Sequence, residues 1–107
     1  MLITEQRLEA ALRYIAKTDE EIGKAKGFLE GLSKQEKIIV GEEFLSHTGT
    51  KDERMSHVHS SQAYKDWKTE FENATTNYHI LKAKRDNAFV VVEVWRSLNA
   101  SMRKGNV

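Results

Sequence analysis

Along the C-terminal half of the chain, apolar side chains recur at alternating spacings of four and three. Tyr64, Trp67, Phe71, Ala74, Tyr78, Leu81, Arg85, Ala88, Val92, Trp95, Asn99 and Met102 follow this rule, and only Arg85 and Asn99 break its apolar or aromatic character. This is a heptad register, which keeps one face of an α-helix against a partner. It predicts a helix over residues 62–103, about 60 Å long at 1.5 Å per residue. The chain contains no proline, so nothing in it forbids so long an element.

The N-terminal half carries a looser stripe with clear start signals. Thr4 is placed to cap a first helix, with Ile3 and Leu8 at the staple positions and Leu12 and Ile15 continuing the stripe. Thr18-Asp19-Glu20-Glu21 reads as a capping box, so a helix over 4–17 and another over 19–46 are expected, joined by a break or a kink. Ile22, Ala25, Leu29, Leu32, Ile39 and Val40 form the apolar face of the second. Gly49 offers a left-handed stop after it. Thr50-Lys51-Asp52-Glu53 opens a short helix over 51–58, and Ser60 or Ser61 caps the last one. Gly23, Gly27 and Gly31 lie four apart and predict a notch where another helix crosses closely. The expected fold class is all-α: an antiparallel helical hairpin or coiled coil, with one very long C-terminal helix and a short N-terminal helix, in a single domain spanning 1–107.

Composition narrows the function classes. The 107 residues are 39% hydrophobic and 31% charged, too rich in apolar groups for disorder. No cysteine is present, which removes disulfides and thiolate metal sites and fits a reducing cytoplasm. The net charge of +1 provides no global field. No apolar run approaches the ~20 residues of a membrane span, and the first residues lack the order of a signal peptide.

Candidate chemistry is sparse. His57 and His59, with Glu43 or His47, are the nearest approach to a metal-ligand group, but their spacing matches no standard motif, and neither metal nor cofactor is expected. The Ser56, His57, His59 and Ser60 group has no implied orienting carboxylate, so no enzyme is expected. Basic residues gather toward the C-terminus at Lys82, Lys84, Arg85, Arg96, Arg103 and Lys104, near aromatic side chains. Such a combination can hold single-stranded DNA by phosphate contacts and stacking. Cations near a helix C-terminus also complement its dipole. Arg85 lies within the heptad register, which predicts a buried stem paired with an acid such as Glu36. Arg96 has Glu93 or Asp86 within reach. Trp67, Phe71, Phe89 and Trp95 are the candidate oligomer interface, because the long helix outruns its expected partner and leaves an apolar strip.

Several segments together resemble a known group of proteins: Thr18–Glu21, Gly49-Thr50-Lys51-Asp52-Glu53-Arg54, Tyr64, Ala83-Lys84-Arg85 and Val92-Glu93-Val94-Trp95-Arg96-Ser97-Leu98. The series resembles a family of short helical proteins encoded by tailed phages and prophages, often beside recombination genes, and E-x-W-R-S at Glu93–Ser97 is its sharpest motif. More remotely the chain is similar to UvsY-type recombination mediators, through Phe44-Leu45-Ser46-His47-Thr48-Gly49 and the order of a short loop and then a long helix. Those mediators carry basic residues in the helix before the loop, where this chain has Ile38, Ile39, Val40 and Gly41. The resemblance implies a homo-oligomeric accessory or mediator-like factor of phage recombination, with single-stranded DNA and a recombinase as partners and the C-terminal cations contacting phosphates. The alternative is a helical protein-interaction module, an inhibitor or adaptor of a host protein, with no nucleic-acid role.

Overall fold

The computed structural model describes residues 3–105, with side chains for residues 3–103. Three helices account for almost all of them: α1 Glu5–Leu45, α2 Lys51–Ser60 and α3 Gln62–Gly105. There is no strand among the described residues, and the fold is all-α, with one very long C-terminal helix.

Three of the predicted starts are realised by their caps. Thr4 Oγ1 accepts from the Arg7 amide at 3.1 Å, and Thr50 Oγ1 from the Glu53 amide at 3.2 Å. Ser61 works in two directions. Its hydroxyl donates to the Val58 carbonyl at 2.7 Å, closing α2, and accepts from the Tyr64 amide at 3.2 Å, opening α3. Gly49 adopts φ 131°, a backbone conformation that L-residues rarely take, and a Cβ there would collide with the Glu53 carboxylate.

The expected start at Thr18 is not one. The two helices expected over 4–17 and 19–46 are one, α1 Glu5–Leu45, and Thr18 sits in its interior, buried. Its hydroxyl donates to the Tyr14 carbonyl four residues back, at 2.6 Å, rather than capping a first turn. The physical reason lies in the stripe. Leu8, Ala11, Ile15, Thr18, Ile22, Ala25, Leu29 and Leu32 keep a four-three spacing straight through the capping-box sequence, and all are buried or half-buried. Burial along that unbroken register outweighs a local cap signal of about 1 kcal/mol.

The helices pack as two compact units, Met1–Gly23 with His79–Val107, and Lys24–Tyr78. α1 and α3 contribute to both. In the first unit, Ala11 packs with Ala88 and Val92, and Leu8, Tyr14, Ile15 and Val91 pack around them. Thr18, further along α1, meets Arg85, earlier on α3, so the two segments run antiparallel. In the second unit, Leu32, Trp67 and Ala74 form the core, flanked by Leu29, Ile39, Tyr64 and Phe71. Val58 of α2 is fully enclosed.

The glycines at 23, 27 and 31 do not form a notch for a crossing helix of this chain. All three are exposed, and a Cβ added at any of them meets nothing within 4 Å. They fall on the side of α1 opposite its buried register. Gly27→Ala is therefore expected to stabilise the chain by about 1 kcal/mol, through helix propensity alone. Urea denaturation at fixed protein concentration measures it, and a loss of stability would show that Gly27 is needed for a close approach.

Candidate functional site

The aromatic side chains divide between core and surface. Trp67 is 7% exposed, and its indole Nε1 donates to the Leu32 carbonyl at 2.7 Å. Its ring stacks on Phe71 at 5.1 Å between centroids and lies 5.7 Å from Tyr64. Trp67 thus belongs to the interior of the Lys24–Tyr78 unit and is not an anchor for another molecule, while half-buried Phe71 is its stacking partner. Trp95 is half-buried, and Phe89 is 46% exposed. The reason Trp67 and Phe71 turn inward is the continuity of α1. At 41 residues against 44 for α3, it covers the stripe that a shorter partner would have left open.

Of the C-terminal cations, Lys82, Arg96 and Arg103 fall on one stripe of α3, at spacings of 14 and 7 residues, whereas Lys84 lies on another side and Arg85 on the buried register. Arg85 is buried: its Nη1 donates to the Ile15 carbonyl at 2.8 Å and to Thr18 Oγ1 at 2.7 Å. Its Nη2 lies 3.3 Å from Asp19, so the acid beside it is Asp19 and not Glu36. The guanidinium also lies 5.8 Å from the Phe89 ring centre. A group so enclosed does not reach phosphate, and this removes Arg85 from a nucleic-acid surface. Lys82 pairs with Asp86 at 2.9 Å, and Arg96 with Glu93 at 3.1 Å, both as exposed neighbours on the same helix. Lys84 and Arg103 are exposed, and the Lys104 side chain lies outside the described residues. Lys82 and Lys84 are about 200° apart around the helix.

Polar chemistry converges most closely where α1 ends beside α2. His57 Nε2 lies 3.2 Å from Glu43 Oε2 and 3.4 Å from Ser46 Oγ, and the His47 ring stacks on His57 at 4.4 Å. Glu43 and Ser46 face the same imidazole nitrogen. In a nucleophilic triad the carboxylate orients one nitrogen so that the other can accept the hydroxyl proton. Here the Ser46 hydroxyl donates to the Glu43 carbonyl at 2.8 Å, so its proton is already engaged. The cluster ties the end of α1 to α2. His59 turns away, edge-on to Tyr64 at 5.2 Å. Among the described residues no group of three or more His, Cys, Asp or Glu is placed to hold a metal ion. Nor is any described helix long and apolar enough to cross a membrane.

What the sequence reading did not single out is the apolar surface. Leu12, Phe28, Ile38 and Leu45 on α1, and Ile80, Val90 and Val94 on α3, are all exposed. Leu12, expected on the first stripe, lies off the register that is buried, where Ala11 takes its place; the others were present in the sequence as apolar residues off the two heptad registers.

No protein-family model matches the chain, no curated protein is significantly similar to it, and no solved structure matches it.

Proposed function

We propose that this chain is a helical protein-interaction module, a phage-type adaptor or inhibitor that acts in the host cytoplasm by docking a helical face against another polypeptide. The observation that carries this reading is the exposed apolar surface on helices whose own cores are already formed. Leu12, Ile80, Val90 and Val94 add nothing to the fold while they remain in water. Apolar side chains left in water by a finished core suit contact with another polypeptide.

The mediator-like reading is the second, with an oligomer presenting cations to single-stranded DNA, to a recombinase, or to both. It is favoured by exposed Lys84 and Arg103 on the same helix as half-buried Trp95, a pairing of cation and aromatic that suits phosphate contact and base stacking. A gel shift on single-stranded DNA over a series of salt concentrations separates the two. The interaction module shows no retardation even at low salt. A mediator shows retardation that falls steeply with salt, and replacing Lys82, Lys84, Arg103 and Lys104 with glutamine flattens that dependence. Retardation of that kind would overturn the protein-interaction reading.

A further inference from the structure

We infer that Arg85, Thr18 and Asp19 together fix the register in which α1 and α3 pair within the unit Met1–Gly23 with His79–Val107. The inference goes beyond the protein-interaction reading and holds whichever partner the chain takes. Apolar packing leaves one question open here: which turn of α1 lies beside which turn of α3.

The buried stripe of α1 repeats itself. Large and small side chains alternate along it as Leu8, Ala11, Ile15, Thr18, Ile22, Ala25 and Leu29. Moved by one heptad, the large positions Leu8, Ile15, Ile22 and Leu29 fall on one another, and so do the small positions Ala11, Thr18 and Ala25. A slip of that size gives each α3 residue an α1 neighbour of much the same volume, about 10 Å along the axis. Hydrophobic burial is non-directional and follows area, so it separates such registers weakly. Backbone carbonyls do not separate them either, because every turn of α1 presents them. The segment 46–61 that joins α1 to α3 has enough chain to follow a displacement of about 10 Å.

Thr18 is the one polar member of that repeat, and it meets Arg85, a polar member of the α3 register. The guanidinium is held from three sides. Nη1 donates to Thr18 Oγ1 at 2.7 Å and to the Ile15 carbonyl at 2.8 Å, and Nη2 lies 3.3 Å from Asp19. With α1 slipped one way, Ala25 and Lys26 would stand where Thr18 and Asp19 stand; slipped the other way, Ala11 and Leu12 would. Neither pair offers a side-chain acceptor, and Lys26 brings a like charge. Arg85 is 8% exposed, and a buried cation stripped of its partners is strongly destabilising. The slipped registers are therefore penalised by the arginine rather than by the apolar residues, as single polar residues in helical seams do. This accounts for a capping-box sequence in mid-helix: Thr18 and Asp19 supply acceptors to α3. The register also sets the exposed surface, because it fixes the spacing of Leu12 on α1 from Ile80, Val90 and Val94 on α3.

Pulsed dipolar spectroscopy between two nitroxides tests the inference. The chain lacks cysteine, so labels are placed by Glu9→Cys on α1 and Ile80→Cys on α3, both exposed and both in this unit. Dilution with unlabelled chain restricts the reading to distances within one molecule. The two sites are offset along the axis by roughly 18 Å, so a slip of one heptad changes their separation by several ångströms. The otherwise wild-type chain is expected to give one narrow distance. Thr18→Ala with Arg85→Leu makes the seam apolar throughout. It is expected to keep its helicity by circular dichroism and to show a second distance in roughly a tenth of molecules or more. A second variant keeps the arginine and moves its partners by one heptad: Thr18→Ala, Asp19→Lys, Ala25→Thr and Lys26→Asp. There the displaced distance is expected to predominate. A contact that merely stabilised the fold would lower the melting temperature and leave one distance unchanged. An unchanged single distance in either folded variant, or two distances in the otherwise wild-type chain, overturns the register role.

Discussion

Replacing Trp67 with alanine is expected to lower stability by about 3–5 kcal/mol, the largest loss from any single substitution in the chain. Domains of this length are stable by about 5–15 kcal/mol in all, so the variant should unfold readily on mild heating. The loss has two sources. The ring packs in the core with Leu32 and Ala74, beside Tyr64 and Phe71, and it is the one aromatic side chain there that is buried rather than half-buried. The indole N–H also reaches the Leu32 carbonyl at 2.7 Å. Trp67→Phe separates these contributions. It keeps most of the packing and loses the N–H, and it should cost about 1 kcal/mol more than any residual volume effect. The Leu32 carbonyl, lying in mid-helix, keeps its own ladder bond in both variants. Urea denaturation at one fixed protein concentration measures both, because association adds a concentration-dependent term. A loss below about 1 kcal/mol for the alanine variant would mean that this unit is not held together as described.

Arg85 gives the second large effect, of different character. Arg85→Ala is expected to cost about 3 kcal/mol, because it empties a buried position and removes two charge-assisted hydrogen bonds. Arg85→Met should cost clearly less. The Ile15 carbonyl and the Thr18 hydroxyl each retain a partner in α1, so removing the guanidinium leaves neither orphaned. Thr18→Val acts in the opposite sense. It leaves a buried cation with one acceptor fewer, and should cost about 2–3 kcal/mol. In the double variant Thr18→Val with Arg85→Met that penalty should largely vanish, so the two substitutions are strongly non-additive. Additive losses would show that the 2.7 Å contact between them contributes nothing.

Much of the fold can be read from the sequence, for a definite reason. A four-three spacing held from Tyr64 to Met102 has no common alternative to a long helix, and of its members only Met102 is exposed. The caps at Thr4, Thr50 and Ser61 are local, and local signals with little competition are realised. Thr18 shows where local reading fails. Its capping box is well formed, yet it coincides with a register position between Ile15 and Ile22, and the long-range pattern prevails. The partner of Arg85 was out of reach for a related reason. Position in the register predicts burial, but which turn of α1 lies opposite depends on how the α2 segment is accommodated, and a shift of whole heptads leaves the apolar pattern unchanged. Glu36 belongs to the Lys24–Tyr78 unit, and Asp19 to the unit of Arg85. The glycines were misplaced for a simpler reason: compared with Ile22, Ala25, Leu29 and Leu32, they fall on the opposite side of the helix, where no neighbour exists. The candidate site was legible only in part. The paired cations Lys82 and Arg96 and the enclosed Arg85 reduce the phosphate-facing set, whereas the apolar surface emerges once both buried registers are known.

The central proposal is that this chain acts on protein rather than on nucleic acid. Sedimentation of the wild type at about 100 μM, alone and with a single-stranded oligonucleotide at low salt, tests it most directly. The predicted result is a protein mass that the oligonucleotide leaves unchanged, with the oligonucleotide sedimenting separately. An oligonucleotide that travels with the protein would contradict it.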